Sequence, residues 1–237
     1  MKKKKIILSS KNLSKEYKNG EYSFKALNNV SFDIYEGELV VILGPSGAGK
    51  TTLLNLIGGM DNPTSGELIV DGENIVKYDK KQLAIYRRNK IGFVFQFYNL
   101  MPNLTALENV ELTTELKKDS LDPEDTLSSL GLENKLNNFP SQLSGGEQQR
   151  VSIARAIAKN PKIILCDEPT GALDYNTGKL ILGILQKMAK ESNQTVLIVT
   201  HNSALKDMGN KTIFIKNGEI ENIVINKKPM NIKDIVW

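Results

Sequence analysis

The stretch LVVILGPSGAGKT, residues 39–51, decides the fold of this chain. Its first five residues are all apolar, and a strand without polar alternation is typical of a parallel sheet that helices cover on both faces. The next eight residues match the pattern G-x-x-x-x-G-K-[ST], and helical spacing follows over residues 52–57. A buried strand, a glycine-rich loop and a helix in this order predict a loop that binds phosphate groups.

The residue types in this loop suit the phosphates of a nucleotide. Glycine allows backbone N–H groups to curl around a phosphate, and the start of the following helix adds partial positive charge. Lys50 is expected to reach the β- and γ-phosphate oxygens, and Thr51 to ligate Mg²⁺. A chance glycine turn is the alternative, but the match at all eight positions argues against it. The predicted nucleotide-binding residues are Gly44, Pro45, Ser46, Gly47, Ala48, Gly49, Lys50, Thr51 and Thr52.

Further apolar runs predict an α/β fold. Residues 163–166 and 196–199 also lack polar alternation, and each run follows a segment with helical spacing, at 151–159 and 173–192. Such an alternation of helices and buried strands is typical of a parallel sheet with helices on its faces. Short strand patterns fill the N-terminal third of the chain as well.

The middle and the end of the chain follow other patterns. Between about residues 97 and 142, helical segments are interrupted by proline and glycine, which we interpret as a helical insertion. Residues 211–225 predict a hairpin that turns at Asn217 and Gly218, whereas residues 226–237 carry little signal. No linker rich in proline, glycine or serine divides the sequence, so we expect a single domain.

Two adjacent acidic residues, Asp167 and Glu168, follow the apolar run 163–166. In an open α/β sheet, ligands bind at the carboxyl ends of the strands. An aspartate there can hold Mg²⁺ through water, and the neighbouring carboxylate can orient and deprotonate an attacking water. A solvated surface pair is the ordinary alternative, but the position directly after four apolar residues favours a site.

A second helix start lies at LSGGEQQR, residues 143–150. Ser144 is a good helix cap, and the glycines after it allow close approach of another group to the backbone. The segment therefore fits either a plain capped helix or a second anion-binding helix start. The residues by themselves leave both interpretations open.

The composition argues against several functional classes. The net charge is only +4, and its visible cluster, residues 2–5, fits a solvated tail better than a nucleic-acid-binding face. The longest apolar run, residues 39–43, is far shorter than the roughly 18–20 residues that a membrane-spanning helix needs. No secretory signal develops after the lysines, and a single cysteine, Cys166, indicates a reducing, intracellular location.

Together these motifs resemble the ATP-binding subunits of ABC transporters. The resemblance rests on the glycine loop, LSGGE at residues 143–147, the acidic pair, GALD at residues 171–174 and a histidine after the next strand. It implies an α/β, P-loop NTPase core with a mainly parallel sheet and an N-terminal antiparallel β subdomain. It also implies one ABC ATP-binding domain over residues 1–237, with a helical subdomain at about 97–156, and ATP and Mg²⁺ as cofactors.

The same resemblance assigns roles at the hydrolytic site. Glu168 and His201 would be catalytic, the histidine by contacting the γ-phosphate. Gln96, at the end of a strand over residues 91–95, would reach Mg²⁺ and the attacking water and sense the membrane partner. An ordinary strand-end amide and a surface histidine are the alternatives for these two residues. The predicted metal ligands are Thr51, Gln96 and Asp167.

The resemblance also implies that each site is completed by a second copy of the chain. Asp174 would couple the two sites, although it would also make a good helix cap. Tyr17 would stack on adenine, with Tyr22 and Phe24 as competitors for that role. The residues implied to bind ATP held on the glycine loop of the second copy are Ser144, Gly145 and Gly146.

An integral membrane permease is the other implied partner, and it would hold the cytoplasmic chain on the inner face of the membrane without direct insertion. Residues 58–66, 92–96 and 104–110 resemble the branch of macrolide-export, lipoprotein-release and antimicrobial-peptide-resistance ATPases, which pair with a separate membrane protein. The sequence carries no signal for the cargo or for the direction of transport.

Two rivals remain to be weighed. Soluble ABC ATPases that act on nucleic acid or the ribosome typically have tandem cassettes, a long coiled-coil insertion or zinc cysteines, and the sequence has none of these. A GTPase would carry N-K-x-D, but residues 89–92 and 134–137 both lack the aspartate. Neither a GTPase nor a small-molecule kinase explains LSGGE.

Overall fold

In the computed structural model, which describes residues 5–20, 22–115 and 117–236, the chain forms two β-sheets with helices packed around them. The strands are β1 (Ile6–Asn19), β2 (Tyr22–Tyr35), β3 (Leu39–Leu43), β4 (Ser65–Val70), β5 (Glu73–Asn74), β6 (Ile91–Val94), β7 (Ile163–Asp167), β8 (Thr195–Thr200), β9 (Lys211–Lys216) and β10 (Glu219–Ile225). The α-helices are α1 (Lys50–Ile57), α2 (Lys80–Lys90), α3 (Ala106–Thr114), α4 (Pro123–Ser129), α5 (Gly145–Ala158) and α6 (Tyr175–Glu191).

The larger sheet has the strand order β10-β9-β3-β8-β7-β6. Its neighbouring strands run parallel, except that β9 and β10 form an antiparallel hairpin. The hairpin turns at Asn217 and Gly218, whose φ angles of 51° and 78° suit a tight two-residue turn. The predicted α/β fold with a mainly parallel sheet is therefore confirmed, as is the C-terminal hairpin.

Strand β3 shows why the central strands are continuous apolar runs. Its odd-numbered residues pack with α5 and α6 in one hydrophobic cluster, and its even-numbered residues pack with α1 in another. A side chain on either face is removed from water, which stabilises the fold by about 1.5–3 kcal/mol for each large aliphatic group. Cys166 in β7 is fully buried in the first cluster.

The smaller sheet has the order β2-β1-β4-β5, and all its neighbouring strands are antiparallel. Its inward side chains, among them Leu27 and Val30, join the same cluster as α1. The N-terminal antiparallel subdomain implied by the resemblance is confirmed. Because this sheet packs on α1, it also lies beside the glycine loop from which α1 begins.

Helices α3, α4 and α5 lie between β6 and β7 in the chain, and α5 packs against the other two. Strand β6 ends at Val94, so the prediction that Gln96 closes a strand over residues 91–95 is wrong. Gln96 instead lies in a turn two residues past the strand. The bounds of the helical subdomain, about 97–156, and of the whole domain stay predictions. In the described part of the chain, no helix has both the length and the apolar character needed to cross a bilayer.

Asp71, in the turn after β4, joins the two sheets through three lysines. Its carboxylate oxygens lie 2.7 Å from Nζ of Lys5, 3.4 Å from that of Lys90 and 2.5 Å from that of Lys162, which precedes β7. Burial by itself would raise the pKa of Asp71, but the hydrogen bonds from Lys162 and Lys5 and the charges of Lys162 and Lys90 hold it well below its ordinary value.

We expect Asp71→Asn to lower the free energy of unfolding by about 1 kcal/mol at pH 7, a modest figure because the lysines are partly exposed. The folded-state pKa is the lower one, so this stabilisation is present above the ordinary pKa of 3.8 and is lost as the pH falls below it. Urea unfolding between pH 7 and pH 3 measures the difference. Glu67→Gln, which alters a carboxylate 4.0 Å from one exposed lysine, is the control. An Asp71→Asn deficit that does not shrink on acidification would contradict this account.

Candidate functional site

The glycine loop connects β3 to α1 at the carboxyl edge of the larger sheet. A Cβ atom on Gly44 would lie 2.1 Å from the carbonyl oxygen of Ile215, and one on Gly49 would lie 2.3 Å from that of Ala26. Only glycine fits at these two positions, because any side chain would collide with backbone. Helix α1 begins without a side-chain cap and without an acidic residue in its first turn. Its first N–H groups and the positive end of its dipole are therefore suited to an anionic ligand.

Lys50 lies inside this loop and is buried. Its Nζ donates hydrogen bonds of 2.9 Å to the carbonyl oxygens of Gly44 and of Pro45. These acceptors are neutral, whereas phosphate oxygens carry charge and form stronger bonds to an ammonium group. The ammonium is therefore placed where it can exchange two loop carbonyls for the phosphates of a ligand.

Thr51 and Asp167 bring two hard oxygen donors together from α1 and β7. The Thr51 hydroxyl donates a hydrogen bond of 3.3 Å to Oδ1 of Asp167. Desolvation raises the pKa of Asp167, while the Thr51 hydrogen bond and the charge of Lys50 act in the opposite direction. Mg²⁺ prefers oxygen ligands and is commonly held by one or two protein groups together with phosphates. The donors present at this point fit that ion.

Glu168, immediately after β7, is held by two groups from the end of β8. Its Oε1 lies 2.8 Å from Nδ1 of His201, and its Oε2 accepts a hydrogen bond of 3.0 Å from the Thr200 hydroxyl. An ionised carboxylate only accepts hydrogen bonds, so with Glu168 ionised Nδ1 carries the proton, and Nε2 is left for a further contact. The backbone of Glu168 is left-handed, with φ of 45°, which is uncommon for a side chain of this type. Glu168 therefore keeps an unfavourable backbone conformation, which is a common property of residues at functional sites.

Gln96 is brought to the same edge because β6 runs parallel to β7. Its Nε2 atom lies 3.0 Å from the point that a Cβ on Gly171 would occupy, and Gly171 donates its N–H to the carbonyl of Glu168. The amide thus lies against the loop that carries the acidic pair, although it does not close a strand.

Ser144 caps α5 in a reciprocal arrangement. Its hydroxyl accepts the N–H of Glu147 at 3.3 Å, and the Glu147 carboxylate accepts the N–H of Ser144 at 2.7 Å. The interpretation of this segment as a capped helix is therefore confirmed, whereas its role as an anion-binding helix start stays a prediction. Among the described residues, no hydrogen bond or ion pair joins residues 144–146 to the glycine loop of the same chain.

Asp174 caps α6 and lies near the second helix start. It accepts the N–H groups of Asn176 and Thr177 and the Thr177 hydroxyl, at 3.0, 3.1 and 2.6 Å. A Cβ on Gly146 would come within 2.3 Å of the Thr177 methyl group, so the first turns of α5 and α6 are in close contact. The structure therefore groups Asp174 with Gly146.

Tyr17 lies beside the glycine loop. Its hydroxyl donates a hydrogen bond of 2.8 Å to Asp61, and desolvation together with the Asp61 bond raises the pKa of Tyr17. Phe24 faces Tyr17 across β1 and β2, and Tyr22 is 86% exposed. The choice among these three rings for adenine stays a prediction.

Two polar residues of the site escaped the sequence analysis. Thr200, described above, ends an apolar run directly before His201. A hydroxyl residue at that position is a sequence signal that could have indicated its contact with Glu168. Gln149 is fully buried on α5 and donates a hydrogen bond of 3.0 Å to the carbonyl of Pro169, next to the acidic pair. A glutamine on the apolar face of a helix is the sequence signal that could have indicated this buried polar contact.

The loop, the hydroxyl–carboxylate pair and the glutamate–histidine pair define the site of a P-loop nucleotide hydrolase. A family model described as "ABC transporter" matches residues 27–171, and the chain belongs to this family. It is an ABC ATPase, and ATP is its nucleotide.

Relatives of known structure share the whole architecture. The chain is 48% identical over 224 residues to the uncharacterized ABC transporter ATP-binding protein MJ0796 of Methanocaldococcus jannaschii, covering 91% of this chain and 95% of the relative. The dimeric, post-hydrolysis structure of MJ0796 with ADP and Pi matches with a TM-score of 0.86 and 45% identity, over 93% of this chain and 99% of that one. The structure of cbiO1 from Clostridium perfringens, part of the ABC transporter complex cbiONQ, matches with a TM-score of 0.79 and 27% identity over 97% and 90%.

Proposed function

We propose that this ABC ATPase dimerises on ATP and drives a separate membrane-spanning subunit of a transporter. The observation that carries the proposal is the convergence of a buried ammonium, a hydroxyl–carboxylate pair, an amide and a glutamate–histidine pair at one edge of the larger sheet. A loop that only bound nucleotide would not need the last pair. The dimeric relative in its ADP and Pi state supports dimerisation and hydrolysis.

The proposal assigns tasks to each of these residues. Lys50 leaves the loop carbonyls and binds phosphate oxygens, and the N–H groups of the loop and of α1 bind the rest of the phosphate chain. Glu168 accepts a proton from the attacking water, His201 fixes the carboxylate and contacts the γ-phosphate, and Gln96 orients the water. Mg²⁺, when bound by Thr51, Asp167 and Gln96, neutralises developing charge on the phosphates.

The dimer is proposed to place residues 144–146 of one copy on the nucleotide of the other. Contact between the first turns of α5 and α6 supports this, because it groups Asp174 with the second helix start. A two-fold arrangement then completes both sites in the same way. Closure on ATP and separation after hydrolysis would pull the partner's helices between two arrangements.

The partner is proposed to be a permease of the macrolide-export, lipoprotein-release or antimicrobial-peptide-resistance type. It would dock beside the helical subdomain at about residues 97–156 of the single domain 1–237, and hold the chain at the cytoplasmic face of the membrane. Phe97, next to Gln96, and Met101, at the start of the helical subdomain, expose 75% and 53% of their surface and give this face apolar character. The cbiO1 structure supports assembly into a transporter complex, but not this particular type of permease, since that relative is part of the ABC transporter complex cbiONQ.

Ser144→Ala tests the dimer. We expect ATP-dependent dimerisation, measured by sedimentation in a Glu168→Gln background, to weaken at least about tenfold, because one charge-assisted bond to phosphate is lost. Asp79→Ala is the matched control, since Asp79 caps α2 with the same reciprocal arrangement on a helix that carries none of the proposed nucleotide-binding residues. Both variants should lose about 1 kcal/mol of folding stability. Equal dimerisation of the two variants, or a Glu168→Gln parent that stays monomeric at saturating ATP, would contradict the proposal.

A further inference from the structure

The turn that contains Gln96 is tightly wound and strained. Tyr98 donates its N–H to the carbonyl of Phe95 at 3.3 Å, and Asn99 donates to that of Phe97 at 2.5 Å. Tyr98 and Asn99 both have left-handed backbones, with φ of 59° and 50°. Two consecutive non-glycine residues in this region are unfavourable, most of all with a bulky tyrosine. Contacts from outside the turn must therefore hold it in this shape.

Arg155, on α5, supplies such contacts. Its guanidinium donates hydrogen bonds to the carbonyl oxygens of Asn99 at 2.6 Å and of Tyr98 at 2.9 Å. No carboxylate pairs with it among the described residues, and its burial lowers the pKa of the guanidinium without removing the charge. The planar fork of arginine suits two neighbouring acceptors, whereas a lysine ammonium would not hold both in a fixed geometry.

The opposite end of α5 contacts the same turn. A Cβ on Gly145, the first residue of α5, would lie 2.9 Å from the Tyr98 hydroxyl. The turn thus lies along α5 from Gly145 to Arg155. Helix α5 is also tied to the acidic loop, because Gln149 donates to the carbonyl of Pro169. One helix therefore contacts both the turn that carries Gln96 and the loop that carries the catalytic carboxylate.

We propose that Arg155 is a positioning residue for ATP hydrolysis, which holds the turn 95–99 on α5 and thereby fixes Gln96 against the acidic loop. The inference rests on the proposed function, since it acts through the role assigned there to Gln96. Arg155 itself touches neither nucleotide-binding loop nor metal ligand among its described contacts.

A double-mutant cycle tests the inference. We expect Arg155→Ala to lower kcat about tenfold, since a small displacement of an orienting group is costly, with the affinity for ATP by calorimetry changed less than about twofold. Arg155→Lys, which keeps the charge, is expected to lose about threefold. In a Gln96→Ala background, either Arg155 substitution should change kcat by less than about twofold, because residues acting as a unit are not additive. Arg88→Ala, which removes an exposed arginine of α2, is the control and should leave kcat and KM unchanged.

The outcomes separate this inference from the proposed function. A tenfold loss that persists in the Gln96→Ala background, or a lowered Tm with kcat unchanged, overturns the role of Arg155 alone. If Gln96→Ala by itself leaves kcat unchanged, the role of Gln96 in the proposed function fails instead. Should Arg155→Ala fail to fold, Arg155→Lys carries the same cycle, and its loss must disappear when Gln96 is absent.

Discussion

Glu168→Gln is expected to lower the turnover number for ATP roughly 10²–10⁴-fold, the usual contribution of a general base. The amide keeps the shape of the side chain and can still bond to Thr200 and His201, but it cannot accept the proton of the attacking water. The affinity for ATP should be retained, because the glycine loop is untouched. Phosphate release under saturating ATP measures the first effect, and calorimetry measures the second.

The control for this variant is Glu67→Gln, an equal change at an exposed position of β4 whose carboxylate pairs with Lys11, which should hydrolyse ATP at the wild-type rate. With turnover blocked, the nucleotide-bound dimer should also last longer, which sedimentation in ATP would detect. Turnover within a few-fold of wild type would remove Glu168 from its assigned role and leave the pair with His201 as a structural contact.

Lys50→Ala is expected to weaken ATP binding at least roughly 10²-fold, to the point that calorimetry detects no binding. The ammonium offers two bonds that now go to Gly44 and Pro45, and charge-assisted bonds to phosphate contribute about 1.5–3 kcal/mol each. Its loss also leaves those carbonyls without this donor, so thermal unfolding of the variant should be recorded in parallel.

Lys187→Ala, at an exposed position of α6, is the matched control and should bind ATP as the wild type does. Unchanged affinity in Lys50→Ala, with the folded state intact, would contradict the assignment of the glycine loop. Loss of affinity in both variants would instead indicate a general effect of positive charge.

The central strand and its loop were predictable because their signals are local. Strand β3 has the bounds of the apolar run 39–43, since glycine stops the run on one side and charge and glycine on the other. The acidic pair was placed by the same logic, although Asp167 belongs to β7 itself. Ser144 was recognisable as a cap, and the structure confirms the capping bonds. Its contact with ATP on a second copy of the chain, in contrast, was implied only by the resemblance to ABC transporter ATPases.

What the sequence could not indicate depends on contacts between distant segments. The bonds from Arg155 to the carbonyls of Tyr98 and Asn99 join residues 57 and 56 positions apart, and no local pattern marks them. The C-terminal segment is similar. Ile232 and Ile235 are buried against the core, while Gln186 of α6 bonds to the carbonyl of Met230. The mixed polar and apolar residues of so short a segment show no periodicity that would indicate packing against the core.

The burial of Cys166 has a practical consequence for labelling the protein at chosen positions. The Cys166 side chain has no exposed surface, and burial raises the pKa of its thiol. Maleimide reagents should therefore not react with it in the folded chain. Cysteines introduced at the surface could therefore carry fluorescent or spin labels in an otherwise native background. Distances between labelled copies would then test the proposed opening and closing of the dimer.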